Sequence, residues 1–131
     1  GYRNSSAVKK AACFLLKNRD KEGKFPGFLH STWISIGVFG QLEGSNSDIV
    51  KGAFKIVEQN IGKLEAGDLA WCLECFYVAG IPKENPVAKK CIEELINSQQ
   101  DNGAWKSADG EEFAVSTTIN VLNVLKKYEV W

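Results

Sequence analysis

The chain has 131 residues and a mass of 14.5 kDa, enough for one hydrophobic core and too little for two. Hydrophobic residues make up 44% and charged residues 24%, which sets the chain apart from a disordered tail. Sixteen basic residues balance sixteen acidic ones, which argues against a general electrostatic grip on nucleic acid or an anionic membrane, and no apolar run approaches the roughly 18 to 20 residues of a membrane span.

Helical periodicity runs almost throughout, and no stretch alternates apolar and polar residues as a strand would. The first predicted helix is Ser6–Arg19, capped by Ser5 or Ser6, and it carries Lys9, Lys10, Lys17 and Arg19. The second, Ser31–Leu42, carries no charge. The third, Asp48–Gly62, is capped by Ser47 or Asp48 and carries Lys51, Lys55 and Glu58. The fourth, Asp68–Ala79, is capped by Asp68, carries only Asp68 and Glu74, and stops at Gly80-Ile81-Pro82. The fifth, Pro86–Gln99, starts from the Asn85-Pro86 pair and carries Lys89, Lys90, Glu93 and Glu94. The sixth, Phe113–Tyr128, is uncharged as far as Leu125. Odd-numbered helices therefore need a wet face, and even-numbered ones need cover on most sides. The expected architecture is all-α: three antiparallel hairpins forming one domain over residues 1–131, with outer helices around inner ones. Gly1 at the start and the lack of Met suggest a piece of something longer.

An internal repeat supports the hairpins. Val8-Lys9-Lys10-Ala11-Ala12-Cys13-Phe14-Leu15-Leu16 resembles Ala88-Lys89-Lys90-Cys91-Ile92-Glu93-Glu94-Leu95-Ile96 at an offset of 80 residues. Gly23-Lys24-Phe25 matches Gly103-Ala104-Trp105 at the same offset, and Ser31-Thr32 matches Ser116-Thr117 at 85.

Cys13, Cys72, Cys75 and Cys91 are scattered within helical patterns, beside apolar neighbours. They read as reduced, buried thiols in a cytoplasmic protein. Trp71-Cys72-Leu73-Glu74-Cys75 has redox Cys-x-x-Cys spacing but no preceding strand. A zinc site from Cys72, Cys75, the single His30 and a carboxylate is the weaker alternative, and no metal or other cofactor is expected.

At Gln99-Gln100-Asp101-Asn102-Gly103-Ala104-Trp105 a helix end is followed by Gln, a turn, Gly, one residue and Trp. Gly103 permits positive φ, Trp105 can fold back over the hairpin, and the Gln99 amide can lie on its ring while bonding a neighbouring helix end. Arg19-Asp20-Lys21-Glu22-Gly23-Lys24-Phe25 is a degenerate first copy; the middle hairpin keeps only Gln59 and Gly62. This motif resembles the QW repeat of squalene and hopene cyclases and the related repeat of protein prenyltransferase β subunits. With the repeat and the helix alternation, the likeness covers nearly the whole chain. It implies an α/α toroid, of which three hairpins would form half a ring. Gln99, Gly103 and Trp105 then fasten hairpins and do no chemistry.

The family's chemistry does not carry over by residue. Cyclases protonate with an Asp-x-Asp-Asp motif, which this chain lacks. Prenyltransferase β subunits hold zinc with an Asp, a Cys two residues later and a distant His; here Asp68 is followed by Ala70 and the His lies upstream. The catalytic residues are accordingly left unassigned. The expected pocket lining comes from the N-terminal ends of the inner helices: His30, Trp33, Asp68, Trp71, Glu74 and Tyr77. Aromatic faces stabilise cations. Glu74, in an otherwise apolar helix, must be exposed, paired or functional. The acidic loop Asp109-Gly110-Glu111-Glu112 favours the helix terminus that follows, or supplies a carboxylate pair as in α/α-toroid glycosidases.

Three functions are compatible with these residues. The first is a cyclase- or prenyltransferase-like repeat domain that contributes to an isoprenoid or lipid-like site without a complete active site. The second is a non-catalytic scaffold for a protein or peptide. The third is a carbohydrate-active enzyme. Half a ring exposes inner helices, which implies a homodimer or a partner subunit that completes it.

Overall fold

A computed structural model describes residues 4–131, and among them the regular structure is six α-helices with two 3-10 turns and no strand. The helices are α1 Ser6–Asn18, α2 His30–Glu43, α3 Asp48–Asn60, α4 Ala66–Val78, α5 Pro86–Asn97 and α6 Ala114–Lys127. The all-helical expectation holds, with ends shifted by one or two residues in most cases.

Three helices begin at side-chain caps. Ser5 Oγ accepts from the Val8 amide at 3.3 Å and Ser47 Oγ from the Val50 amide at 3.4 Å. Asn85 Oδ1 accepts from Val87 and Ala88, at 2.9 and 3.3 Å, and Pro86 needs no amide in the first turn. Asp68 is not a cap. Helix α4 starts at Ala66, and Asp68 stands in its first turn, where a carboxylate favours the helix dipole. The end of α3 also differs: the chain tightens into a 3-10 turn at Ile61–Lys63 instead of staying α-helical to Gly62.

Helix α4 is central. It packs on α2, α5 and α6, while α3 packs on α2 and touches α5. Its buried Leu69, Cys72, Leu73 and Phe76 join Trp33, Ile36 and Phe39 of α2 and Leu95 of α5 in one core. Helices α2 and α4 meet very closely, since a Cβ on Gly40 would stand 2.4 Å from the Cβ of Ala79. Helix α1 is the loosest element. No residue of it is fully buried, although Ala12, Leu15 and Leu16 lean on the core.

The internal repeat is reproduced in two backbone hydrogen bonds of each long loop. The Asp20 amide donates to Lys24 O at 2.9 Å and the Gln100 amide to Ala104 O at 2.9 Å. The amides of Gly23 and Gly103 donate to Asp20 O and Gln100 O. Both glycines have positive φ, +95° and +85°. Each loop is then tied to the following helix by a threonine: the Phe25 amide donates to Thr32 Oγ1, and the Trp105 amide to Thr118 Oγ1, one position past the repeat counterpart of Thr32.

Candidate functional site

Two local sequences place the aromatic residues. His30 opens α2 and Trp33 follows it by one turn, pinned inward by the Phe25–Thr32 tie. Trp71 stands one turn after Asp68 on α4, on the side that meets α2. His30 lies flat against Trp71, with ring centroids 5.3 Å apart and planes at 22°. Phe28 stacks on the other side of His30, also at 5.3 Å. Trp33 meets Trp71 edge to face at 6.1 Å. The result is a Phe28–His30–Trp71 stack above a buried Trp33. Phe28 is 77% exposed and Trp71 45% exposed, so the stack presents aromatic faces to solvent.

Further along α4 the surface becomes mixed. Glu74 forms a short ion pair with Lys127 of α6. The Lys127 ammonium also lies 5.7 Å from the ring centre of Tyr77, and Tyr77 meets Tyr128 edge to face at 5.7 Å. Trp71, Glu74, Asn120, Asn123 and Lys127 line a shallow groove of about 310 Å³ between α4 and α6. Trp71 belongs to both regions and joins them into one strip.

Four of the six expected lining residues thus fall on this strip, as an aromatic half (His30, Trp71) and a polar half (Glu74, Tyr77), with Trp33 buried beneath it. Asp68 is half-buried, and its carboxylate makes no hydrogen bond or ion pair with another described residue. Sequence reasoning missed Phe28 and Lys127. The signal for Phe28 was an aromatic two residues before the only histidine; for Lys127 it was the Lys126-Lys127 pair that ends an uncharged stretch.

The Trp33 indole N–H is buried and has no hydrogen-bond partner. It is a donor lacking an acceptor, beneath an aromatic surface. The strip offers π faces and one neutralised ion pair, which suits apolar or cationic ligands. With Glu74 held by Lys127, no paired carboxylates are poised for proton transfer on it.

The thiols divide by depth. Cys72 and Cys91 are buried, Cys75 is half-buried, and Cys13 is exposed, contrary to its expected burial, because α1 has its Cys13 face on solvent. All four are free. Burial pushes the Cys72 thiol well above its ordinary value, aided by a hydrogen bond with Cys91. Cys75 is pushed up to about 11, first by burial and then by the Glu74 carboxylate. Burial also raises the Tyr128 phenol. His30 stacks on aromatics, and no group of three His, Cys, Asp or Glu side chains among the described residues is placed to hold a metal ion.

The Gln-Gly-Trp motif works differently from the expectation in one respect. Trp105, not Gln99, bonds the helix end: its Nε1 donates to Leu95 O in the last turn of α5 at 2.6 Å. Gln99 Nε2 donates to Gly103 O at 2.9 Å, within its own turn. Glu111 and Glu112 form the 3-10 turn that leads into α6.

Comparison with known protein families, curated proteins and solved structures finds no match.

Proposed function

We propose that the chain is a hairpin-repeat domain of the cyclase and prenyltransferase type, whose inner helices α2, α4 and α6 present one wall of a site for an isoprenoid or lipid-like ligand. The single observation that carries this reading is the exposed Phe28–His30–Trp71 stack. Flat, rigid aromatic faces bury alkenyl chain at little entropic cost and stabilise positive charge. The domain binds and does not by itself catalyse, because its one acid on the aromatic strip's polar half is already paired. An α/α-toroid arrangement with α3 and α5 outside fits the contacts of α4 with both α2 and α6. Four free thiols fit a reducing, cytoplasmic setting.

Calorimetric titration with a long-chain isoprenoid diphosphate and the matching alcohol tests this. Binding should weaken at least about tenfold in Trp71→Ala, as for a central aromatic anchor, and stay unchanged in Trp131→Phe. No heat with either ligand would reject the reading.

A second reading, a non-catalytic scaffold for a protein or peptide, is favoured by the openness of the strip: Tyr77 is 47% exposed and no lid covers the α4–α6 groove among the described residues. No observation favours the carbohydrate reading.

A further inference from the structure

The repeat supplies a template for what its own two ends bind. Helix α2 meets α4 through the stripe His30, Gly37 and Gln41: His30 stacks on Trp71, Gly37 abuts Cys75, and Gln41 Nε2 donates to Val78 O. At the 85-residue offset the equivalent positions on α6 are Val115, Leu122 and Lys126. With Ile119 they form one stripe of an amphipathic helix. No helix among the described residues covers it: Val115 is 71% and Ile119 52% exposed, and the Trp131 indole donates to Leu122 O at its far end.

The opposite end carries the complementary surface. On the side of α6 that faces α4, Asn120, Asn123 and Val124 line the groove between the two helices, and their counterparts on α2 are Ser35, Val38 and Phe39. On α2 that side has no preceding inner helix. It forms the floor of an apolar groove of about 370 Å³ against α1, lined by Phe14, Leu15, Phe25, Pro26, Ile34 and Val38. Charge follows the same polarity. Helix α1 and the residue after it carry Lys9, Lys10, Lys17 and Arg19 with no acid, while Asp109, Glu111 and Glu112 lead into α6. Lys10 is the repeat counterpart of Lys90, which donates from α5 to Glu58 of α3 at 2.6 Å; Lys10 has no such partner among the described residues.

We propose that a second copy of this chain docks head to tail, the Val115–Ile119–Leu122 stripe of one copy seating in the α1–α2 groove of the next and continuing the α2-on-α4 and α4-on-α6 packing. The contact is heterologous, so each copy uses two different faces. It is independent of any ligand on the aromatic strip.

Sedimentation velocity over a concentration series tests it. The unmodified chain should reach at least twice its 14.5 kDa mass as concentration rises. Ile119→Asp and Val38→Asp, both at exposed positions, should each keep the native helical spectrum and stay monomeric. Mixed in equal amounts, they should form a one-to-one dimer, because each supplies the intact face that the other lacks. A monomer at on the order of 100 µM, about a hundred times the concentration that a micromolar contact needs, would overturn the proposal. So would continued self-association of Val38→Asp alone, which would mean that α6 stripes pair symmetrically, or failure of the mixture to associate.

Discussion

The indole of Trp105 donates to the carbonyl oxygen of Leu95 at 2.6 Å, closing the loop after α5 onto the last turn of that helix. Both side chains are buried, Leu95 completely. The indole joins the Ser98 amide and hydroxyl as a donor to this carbonyl at the helix end, while the ring fills the space beneath the loop. Packing and hydrogen bonding therefore coincide at one residue. Trp105→Ala should cost about 3 to 5 kcal/mol, and Trp105→Phe about 0.5 to 1.5, because the Leu95 carbonyl loses the indole but keeps its Ser98 donors. Gln99→Ala, which loses only a bond inside an exposed turn, should cost about 1 kcal/mol or less. Urea melts of the three variants give the order; an unchanged midpoint for Trp105→Ala would refute the fastening role.

Gly40→Ala should destabilise the protein even though alanine is the better helix former. The new methyl would stand 2.4 Å from Ala79 Cβ, so α2 and α4 must move apart. Overpacking of this kind costs about 1 to 3 kcal/mol. Pairing it with Ala79→Gly should recover part of the loss, measured by thermal melting.

Much of this fold is legible in the sequence, and the reasons are local. Ser5, Ser47 and Asn85 mark helix starts because a short oxygen-bearing side chain before an apolar run has few other uses. Charge-poor stretches mark α2 and α4 because a helix without a wide polar face must be covered. Asp68 misled for the same local reason: Asp serves as a cap and as a first-turn residue alike, and only the backbone at Glu65 and Ala66 separates the two. The site was legible as a set of aromatic residues, not as an arrangement. That His30 stacks between Phe28 and Trp71, and that Glu74 finds Lys127, depends on how α2 and α6 cross α4. The close approach at Gly40 and Ala79 is likewise a property of two helices, invisible in either one.

Glu74 and Lys127 form an ion pair with about 40% of each side chain exposed, so solvent screens it. A double-mutant cycle of Glu74→Gln and Lys127→Met should give a coupling of about 0.2 to 1 kcal/mol, shrinking in high salt. A coupling several times larger would show that the pair organises the α4–α6 contact and that its bridging role is understated.

Thiol reactivity should follow depth. Iodoacetamide should label Cys13 first and Cys75 slowly, reaching Cys72 and Cys91 only on unfolding. The Cys75 rate should keep rising with pH to about 11, beyond the ordinary thiol value of 9.0. Stability follows from the same shift. The unfolded chain loses this proton near pH 9 and the folded chain keeps it to about 11, so the folded state is unaffected below pH 9 and weakens as pH rises through that window. The buried Cys72 acts in the same direction.

The aromatic strip is best tested through its own indoles. Trp33, Trp71, Trp105 and Trp131 each give one indole N–H resonance in a nitrogen-15 correlation spectrum, and they occupy four different environments. Titration with a long-chain isoprenoid diphosphate should move the Trp71 signal and, through their edge-to-face contact, that of Trp33, while Trp105, bonded to Leu95 under its loop, and Trp131 stay in place. Movement of Trp131 alone, or no movement at saturating ligand, would contradict an isoprenoid site on α2 and α4.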